Sequence, residues 1–162
     1  MSNNIIIREA TSDDLKPAAA LGAEIVRLHH ATNSQRFFMV DDVEQGYAAW
    51  LSNELERPGA VVLVAELDGS VVGYAYGAIE ERDWSLLVEN HGALHDICVA
   101  ASARRLGVGR ALMRAMIEYL EHLGAPQILL RAMVQNEAAQ RLAAELGFKP
   151  TMLEMTRERT AE

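Results

Sequence analysis

The chain of 162 residues has little cysteine and no long apolar run. Its one cysteine, Cys98, cannot form an internal disulfide bond, which excludes a disulfide-stapled scaffold and fits a reducing compartment. No apolar stretch approaches the roughly 20 residues that span a bilayer, and Met1–Asn4 lacks the basic and apolar pattern of a secretory leader. We therefore expect a cytoplasmic protein without a membrane partner, folded as one domain over residues 1–162.

Positive charge is also scarce. Against 23 acidic residues there are 15 lysines and arginines, and the formal net charge is -8. This balance argues against a nucleic-acid partner, because phosphate backbones require a basic face. Residues 97–117 are the exception, with no acidic residue and four arginines: Arg104, Arg105, Arg110 and Arg114. A basic patch on an acidic protein suggests a small anionic ligand, and a solvated helix face is the alternative.

Hydrophobic periodicity and turn residues predict ten elements in the order β-α-α-β-β-β-α-β-α-β. Strands are expected over residues 5–10, 60–67, 70–81, 93–99, 127–134 and 148–158. Helices are expected from about 11 to 30, from 41 to 56, from the glycine loop to 123, and from 136 to 146. The strands do not alternate strictly with helices, so we predict an α/β (α+β) fold with one mixed central sheet flanked by helices.

The most informative segment is residues 94–113. It predicts a buried strand, a turn with two arginines, and two glycines at the start of an amphipathic helix. Helix N-termini hold unsatisfied N–H groups, and glycine lets a phosphate approach the backbone closely. The segment therefore predicts a phosphate-bearing ligand. Its pattern, Arg104-x-x-Gly107-x-Gly109, lacks the Gly-Lys-Ser/Thr ending of a P-loop and the third small residue of a dinucleotide fingerprint.

The loop resembles the Arg/Gln-x-x-Gly-x-Gly/Ala signature of the GNAT family of N-acetyltransferases. Asn136, followed by a helix that ends at Gly147-Phe148, is similar to the second signature of that family, and the Asp68-Gly69 hairpin also matches. The resemblance covers nearly the whole chain. It implies the GNAT acyl-CoA N-acyltransferase fold and an enzyme that transfers acetyl directly from acetyl-CoA, its cosubstrate, to a primary amine.

The resemblance also implies which residues bind coenzyme A. The backbone of Ile97, Cys98 and Val99 would pair with the pantetheine arm like an added strand. Backbone N–H groups of the loop would cradle the pyrophosphate, with added charge from the first two arginines; the loop residues are Arg104, Arg105, Leu106, Gly107, Val108, Gly109 and Arg110. Asn136 would contact the pantetheine, and a simple helix cap is an equally good explanation for it.

The catalytic candidates are His95 and Asp96, at a position where many relatives carry Glu-Asp. A base must deprotonate the incoming ammonium group, and an imidazole titrates near pH 6.5 in model peptides. Because side chains alternate along a strand, we expect one of the two to face the acceptor; simple packing in the sheet is the alternative for His95. Glu80 and Glu81 are lesser candidates. Cys98 is expected to be a small core residue rather than a nucleophile.

The sequence departs from the family at Ala143. In relatives that acetylate polyamines and similar amines, this position carries a tyrosine that protonates the leaving thiolate. Alanine cannot donate a proton, and Tyr74, Tyr76 and Tyr119 are not clear replacements. The departure leaves open a non-catalytic acyl-CoA-binding or regulatory module.

The acceptor is expected to bind beside the first two helices and the segment after the hairpin. Acidic residues collect there and favour a cationic amine, on a small molecule or a peptide: Asp41, Asp42, Glu44, Glu80, Glu81, Asp83 and Glu89. Ring-bearing residues also lie there, as core or as pocket: His29, His30, Phe37, Phe38, Tyr47, Trp50 and Trp84. Neighbouring histidines on a helix point about 100° apart, so no metal site is expected. Homodimers are common in the family, and the C-terminal strand could contribute to one.

Overall fold

The computed structural model describes residues 4–160. They form five strands and four α-helices in the order β1 (Ile5–Glu9), α1 (Leu15–Thr32), α2 (Val43–Glu56), β2 (Ala60–Leu67), β3 (Ser70–Glu80), β4 (His91–Val99), α3 (Val108–His122), β5 (Ile128–Leu130) and α4 (Glu137–Glu145), with short 3-10 helices at Ser12–Asp14 and Ala101–Ala103. The mixed sheet flanked by helices is confirmed, and the predicted order holds through α4. Within residues 4–160, no helix is both long and apolar enough to cross a membrane.

The sheet follows the chain, with strand order β1-β2-β3-β4-β5. Neighbouring strands are antiparallel except for β4 and β5, which are parallel and are connected through α3. The turn between β2 and β3 places Asp68 at φ 51° and Gly69 at φ 78°. Two successive residues in the left-handed region give the tight turn whose twist matches a hairpin, as the Asp-Gly pair predicted.

The sheet buries a separate hydrophobic cluster on each face. On one face, Leu112, Met116 and Leu120 of α3 are fully buried. On the other face, α1 and α2 cover Tyr74, and Leu51 of α2 is fully buried in the same cluster. The alternation of side chains along β3 produces this division, since consecutive residues point to opposite faces. Each large apolar side chain buried in this way contributes about 1.5–3 kcal/mol.

The predicted final strand, residues 148–158, is wrong. Residues 149–160 lie outside the sheet with exposed side chains. Pro150 has no N–H to donate to a ladder, and the neighbouring apolar residues Met152 and Leu153 do not alternate with polar ones as a half-buried strand requires. An ion pair between Arg36 Nη2 and Glu154 Oε1, 2.6 Å apart, joins this segment to the α1–α2 connection. The suggestion that a C-terminal strand contributes to a dimer is therefore not supported, because residues 149–160 form no strand.

Strand β5 is shorter than predicted, with three residues instead of eight. It pairs with β4 only from Gly92 to Leu94. Directly after Leu94, β4 changes its register against β3. Beyond Leu130 the chain no longer pairs with β4, so residues 131–134 lie outside the sheet. The strands β4 and β5 separate at this point.

Candidate active site

A cleft of about 1170 Å³ lies beside the point where β4 and β5 part. Residues of α1, α2, β4, β5 and the segment after β3 line it. Of the residues expected on the acceptor side, the lining includes Phe38, Tyr47, Trp50, Glu80, Glu81, Asp83 and Trp84. The others do not line it: His29, His30, Phe37, Asp41, Asp42, Glu44 and Glu89.

Strand β4 carries a bulge at His95. Asp96 pairs with Tyr76 and Leu94 pairs with Gly77, so His95 is an extra residue in the ladder. As a result, both His95 and Asp96 face the α1–α2 side, where His95 stacks on Tyr76 and Asp96 meets Tyr74. The expectation that alternation would aim only one of the two at the acceptor is therefore wrong, because an inserted residue interrupts the two-residue period.

Two tyrosine hydroxyls donate to the same oxygen of Asp96. Tyr74 Oη lies 2.9 Å from Asp96 Oδ2, and Tyr47 Oη donates to that oxygen as well. Burial, and then the adjacent carboxylate, raise the pKa of both phenols well above the usual value. Both phenols therefore stay protonated and act as donors, and together they hold the Asp96 carboxylate in place.

No sequence pattern pointed to this arrangement, because Tyr47 and Asp96 are 49 residues apart. The Tyr47 ring packs tightly against Gly22 of α1, where a Cβ would lie 2.2 Å from Tyr47 Cε1. A glycine at this position lets the ring pass close to the helix and reach Asp96.

His95 is oriented by Glu80. Its Nε2 lies 2.9 Å from Glu80 Oε1, and its ring stacks on Tyr76 with centroids 5.2 Å apart. Arg57 holds the same carboxylate, with Nη2 2.9 Å from Oε2. Burial acts to raise the pKa of Glu80, but hydrogen bonds from Arg57 and His95 outweigh it and leave the pKa below its usual value. An ionised carboxylate only accepts, so His95 Nε2 carries the proton and Nδ1 is the free nitrogen.

Cys98 follows on the same strand and packs against the α1–α2 cluster. Burial raises the pKa of its thiol to about 11. At neutral pH the thiol is therefore protonated, which suits a packing residue rather than a nucleophile.

The loop before α3 presents a run of free backbone donors. Among the hydrogen bonds of residues 4–160, none is donated by the backbone N–H groups of residues 105–110. Arg105 at φ 64° and Gly107 at φ 88° curl the loop through the left-handed region. A Cβ on Gly107 would meet no atom within 4 Å, so the concave side is open. Successive free N–H groups at a helix start fit the pyrophosphate of coenzyme A.

The arginine side chains of the loop differ in whether another residue already binds them. Arg104 Nε donates to the Val99 carbonyl oxygen over 3.3 Å, and the Arg110 guanidinium pairs with Glu145 of α4. Arg110 therefore offers its backbone N–H to a ligand, whereas its side chain is already paired. Neither Arg104 nor Arg105 has an ion pair among the described residues, so both guanidinium charges remain available to a phosphate.

Strand β4 also has an open edge next to this loop. Its pairing with β3 continues to Val99, whereas its pairing with β5 stops at Leu94. The outer edge of Ile97–Val99 is therefore free of strand partners within residues 4–160, and an extended pantetheine arm fits such an edge by strand addition. The residues of β4 and of the loop together fit coenzyme A.

The second signature has a structural role at α4. Asn136 Oδ1 accepts a hydrogen bond from the Ala139 N–H over 3.1 Å, so the helix-cap explanation is confirmed, and its contact with pantetheine stays a prediction. Ala143 is 4% exposed and packs against the α3 cluster. The tyrosines considered as replacements are engaged elsewhere: Tyr119 donates to Glu9 and Tyr76 to Glu54. Within residues 4–160 the structure assembles no three side chains able to hold a metal ion.

A model of the acetyltransferase (GNAT) family matches residues 23–148 of this chain. The chain belongs to the GNAT family. A GNAT relative in Escherichia coli (strain K12), an L-amino acid N-acetyltransferase, is 35% identical over 101 residues, which cover 62% of this chain and 60% of the relative. The N-alpha-acetyltransferase of Sulfurisphaera tokodaii is 32% identical over 132 residues, covering 78% and 71%.

A solved structure of an aminoglycoside N-acetyltransferase in complex with CoA matches this GNAT chain with a TM-score of 0.78. The identity is 18%, and the match covers 99% of this chain and 98% of the other. This likeness shows the fold. The curated relatives are named N-acetyltransferases, so the chain is a member of a family of N-acetyltransferase enzymes.

Proposed function

We propose that this GNAT chain transfers the acetyl group of acetyl-CoA to the primary amine of a small molecule. The supporting observation is that one strand, β4, serves two sites. Its open edge leads to the free N–H groups of residues 105–110, and its bulge presents His95 and Asp96 to the cleft. When bound, acetyl-CoA would supply the thioester; the residues of the chain bind it, orient the amine and remove a proton.

His95 is the proposed base. An amine enters as an ammonium ion and must lose a proton before it can attack. His95 Nδ1 is free while Glu80 holds Nε2, which is how a carboxylate commonly orients a catalytic imidazole. Two phenols hold the Asp96 carboxylate in place, and its role in the proposal is to bind and position the ammonium ion.

The charge of the cleft supports a cationic acceptor group. Four carboxylates line the cleft, those of Glu80, Glu81, Asp83 and Asp96. Two arginines line it as well, and Arg82 is already paired with Glu89 at 2.8 Å. The relative named for L-amino acids also acts on the amine of a small molecule. Turnover of cationic, neutral and anionic amines tests this part, and a preference for acceptors of net negative charge would contradict it.

The base is tested with His95→Gln. Loss of the imidazole should lower kcat/KM by roughly 10²–10⁴-fold and change the pH–rate profile. His122→Gln, an exposed histidine at the end of α3, is the matched control and should leave both unchanged. If His95→Gln retains the rate and the profile of the unmodified protein, His95 is not the base.

A second candidate function is an acyl-CoA-binding module without catalysis. The observation that favours it is the buried Ala143, which leaves no phenol at that position to protonate a thiolate. Release of free CoA thiol in the presence of an amine panel distinguishes the two functions. Binding of acetyl-CoA without thiol release on any amine would favour the module.

A further inference from the structure

Arg131 is a charged side chain in the cleft for which residues 4–160 provide no ion-pair or hydrogen-bond partner. It directly follows β5. Leu130 packs against the α3 cluster, so alternation turns Leu129 and Arg131 toward the cleft, where both are found. The other arginine of the cleft, Arg82, differs because Glu89 neutralises it.

Other groups already engage three of the four carboxylates of the cleft, and the fourth, Glu81, forms no ion pair with Arg131 among residues 4–160. Glu80 is held by Arg57 and His95, and Asp83 Oδ1 accepts hydrogen bonds from Ser85 and from the Leu86 N–H. Asp96 accepts from its two tyrosines. A guanidinium ion is always charged, and its planar fork matches a carboxylate in bidentate fashion. The partner of Arg131 is therefore to be sought in the ligand.

We infer that Arg131 binds the carboxylate of the acceptor, and that the acceptor is an α-amino acid. The inference rests on the proposed function, in which Asp96 holds the ammonium ion. Leu94 and Leu130 are directly paired across the two strands; Arg131 lies one residue beyond that pair and Asp96 two. With strands about 4.8 Å apart and a rise of about 3.3 Å per residue, their Cα atoms are roughly 6 Å or more apart.

This separation suits a zwitterion. The ammonium and carboxylate groups of an α-amino acid are attached to the same carbon atom. The long Arg131 side chain can reach the carboxylate while the short Asp96 side chain meets the ammonium group. Apolar side chains also line the cleft, among them Phe38 and Trp84, which are 71% and 78% exposed. Large exposed apolar groups around a cleft mark a binding surface, so the preferred amino acid carries an apolar side chain.

The test compares L-leucine with L-leucinamide, which keeps the amine and the side chain and replaces the carboxylate. The kcat/KM ratio of acid to amide is measured for the unmodified protein, Arg131→Met and Arg131→Lys, so that the different basicity of the two amines cancels between variants. We expect Arg131→Met to lower the ratio by about 10- to 100-fold, the usual range for a charged hydrogen bond. Arg131→Lys should retain part of the preference.

Arg82→Met is the matched control, because that guanidinium is already paired, and it should leave the ratio within about twofold. The KM for acetyl-CoA should not change in Arg131→Met. An unchanged ratio, or an effect confined to the KM of acetyl-CoA, would overturn the inference and leave the proposed function standing.

Calorimetry without acetyl-CoA gives a readout that does not depend on turnover. L-leucine should bind the unmodified protein and bind Arg131→Met at least tenfold more weakly. If no amine is acetylated, the proposed function fails, and Arg131-dependent binding of L-leucine would still support the carboxylate site. If the unmodified protein does not bind L-leucine and does not turn it over, the inference fails.

Discussion

One methyl group added at Gly22 should disturb the candidate site more than its size suggests. A Cβ at this position would lie 2.2, 2.4 and 2.7 Å from three ring atoms of Tyr47, whereas carbon atoms in contact sit about 3.5–4 Å apart. The ring is rigid, so relief of the clash requires it to move by about 1 Å or more. This movement takes the Tyr47 hydroxyl away from Asp96.

The expected loss of stability for Gly22→Ala is about 2–4 kcal/mol. Overpacking of a core typically costs about 1–3 kcal/mol, and a lost hydrogen bond to a charged group about 1.5–3 kcal/mol. Against these losses, the higher helix propensity of alanine stabilises the folded protein by about 1 kcal/mol. For a chain of this length, such a loss lowers Tm by roughly 5–15 °C. Urea denaturation measures the change in the free energy of unfolding.

The control for helix propensity is Gly46→Ala on α2, where a Cβ would meet no atom within 4 Å. That variant should be more stable by about 0.5–1 kcal/mol. The decisive measurement is Gly22→Ala in a Tyr47→Ala background, where the clash is absent and the substitution should be neutral or stabilising. Equal destabilisation with and without the Tyr47 ring would refute the steric reasoning.

Two further predictions concern Asp14, the residue before α1, and the loop before α3. Hydrogen bonds from Arg8 lower the pKa of Asp14 to about 2, so its contribution of about 2 kcal/mol is present above pH 4 and disappears as the pH falls through 2. Asp14→Asn should therefore destabilise at pH 7 and have almost no effect near pH 2, as measured by urea denaturation. Gly107→Ala should cost about 1–2 kcal/mol, because φ is 88°, and should weaken binding of CoA in calorimetry. Gly109→Ala should leave stability nearly unchanged, since its Cβ would sit 3.7 Å from its nearest neighbours; equal losses at both glycines would contradict this reasoning.

Features set by local chemistry could be predicted from the sequence. The Asp68-Gly69 turn needs two residues that tolerate positive φ, and the Asn136 cap needs a side-chain acceptor three residues before a free N–H. The glycine loop is local in the same sense. These features depend on a few neighbouring residues, and for that reason short patterns identify them.

Features set by long-range contacts could not be predicted. The bulge at His95 is defined by the pairing of β4 with β3, and no residue type within β4 predicts it. The tyrosines on Asp96 come from α2 and β3, far along the chain. The failed strand after Phe148 has the same cause, because composition can favour an extended chain but cannot supply a neighbouring strand to pair with it.

The bulge also makes the candidate site depend on the number of residues in β4. In a regular strand only every second side chain reaches a given face, so a deletion of His95 would leave Asp96 opposite Tyr76 as the sole polar group of the pair. Such a shortened strand would have an unbroken ladder and could fold as well as the original. Tolerance to insertion and deletion should therefore differ sharply along the chain. Length changes within the exposed residues 149–160 should leave the sheet intact, whereas the deletion of His95 would leave only one of the two side chains that we propose to act on the acceptor.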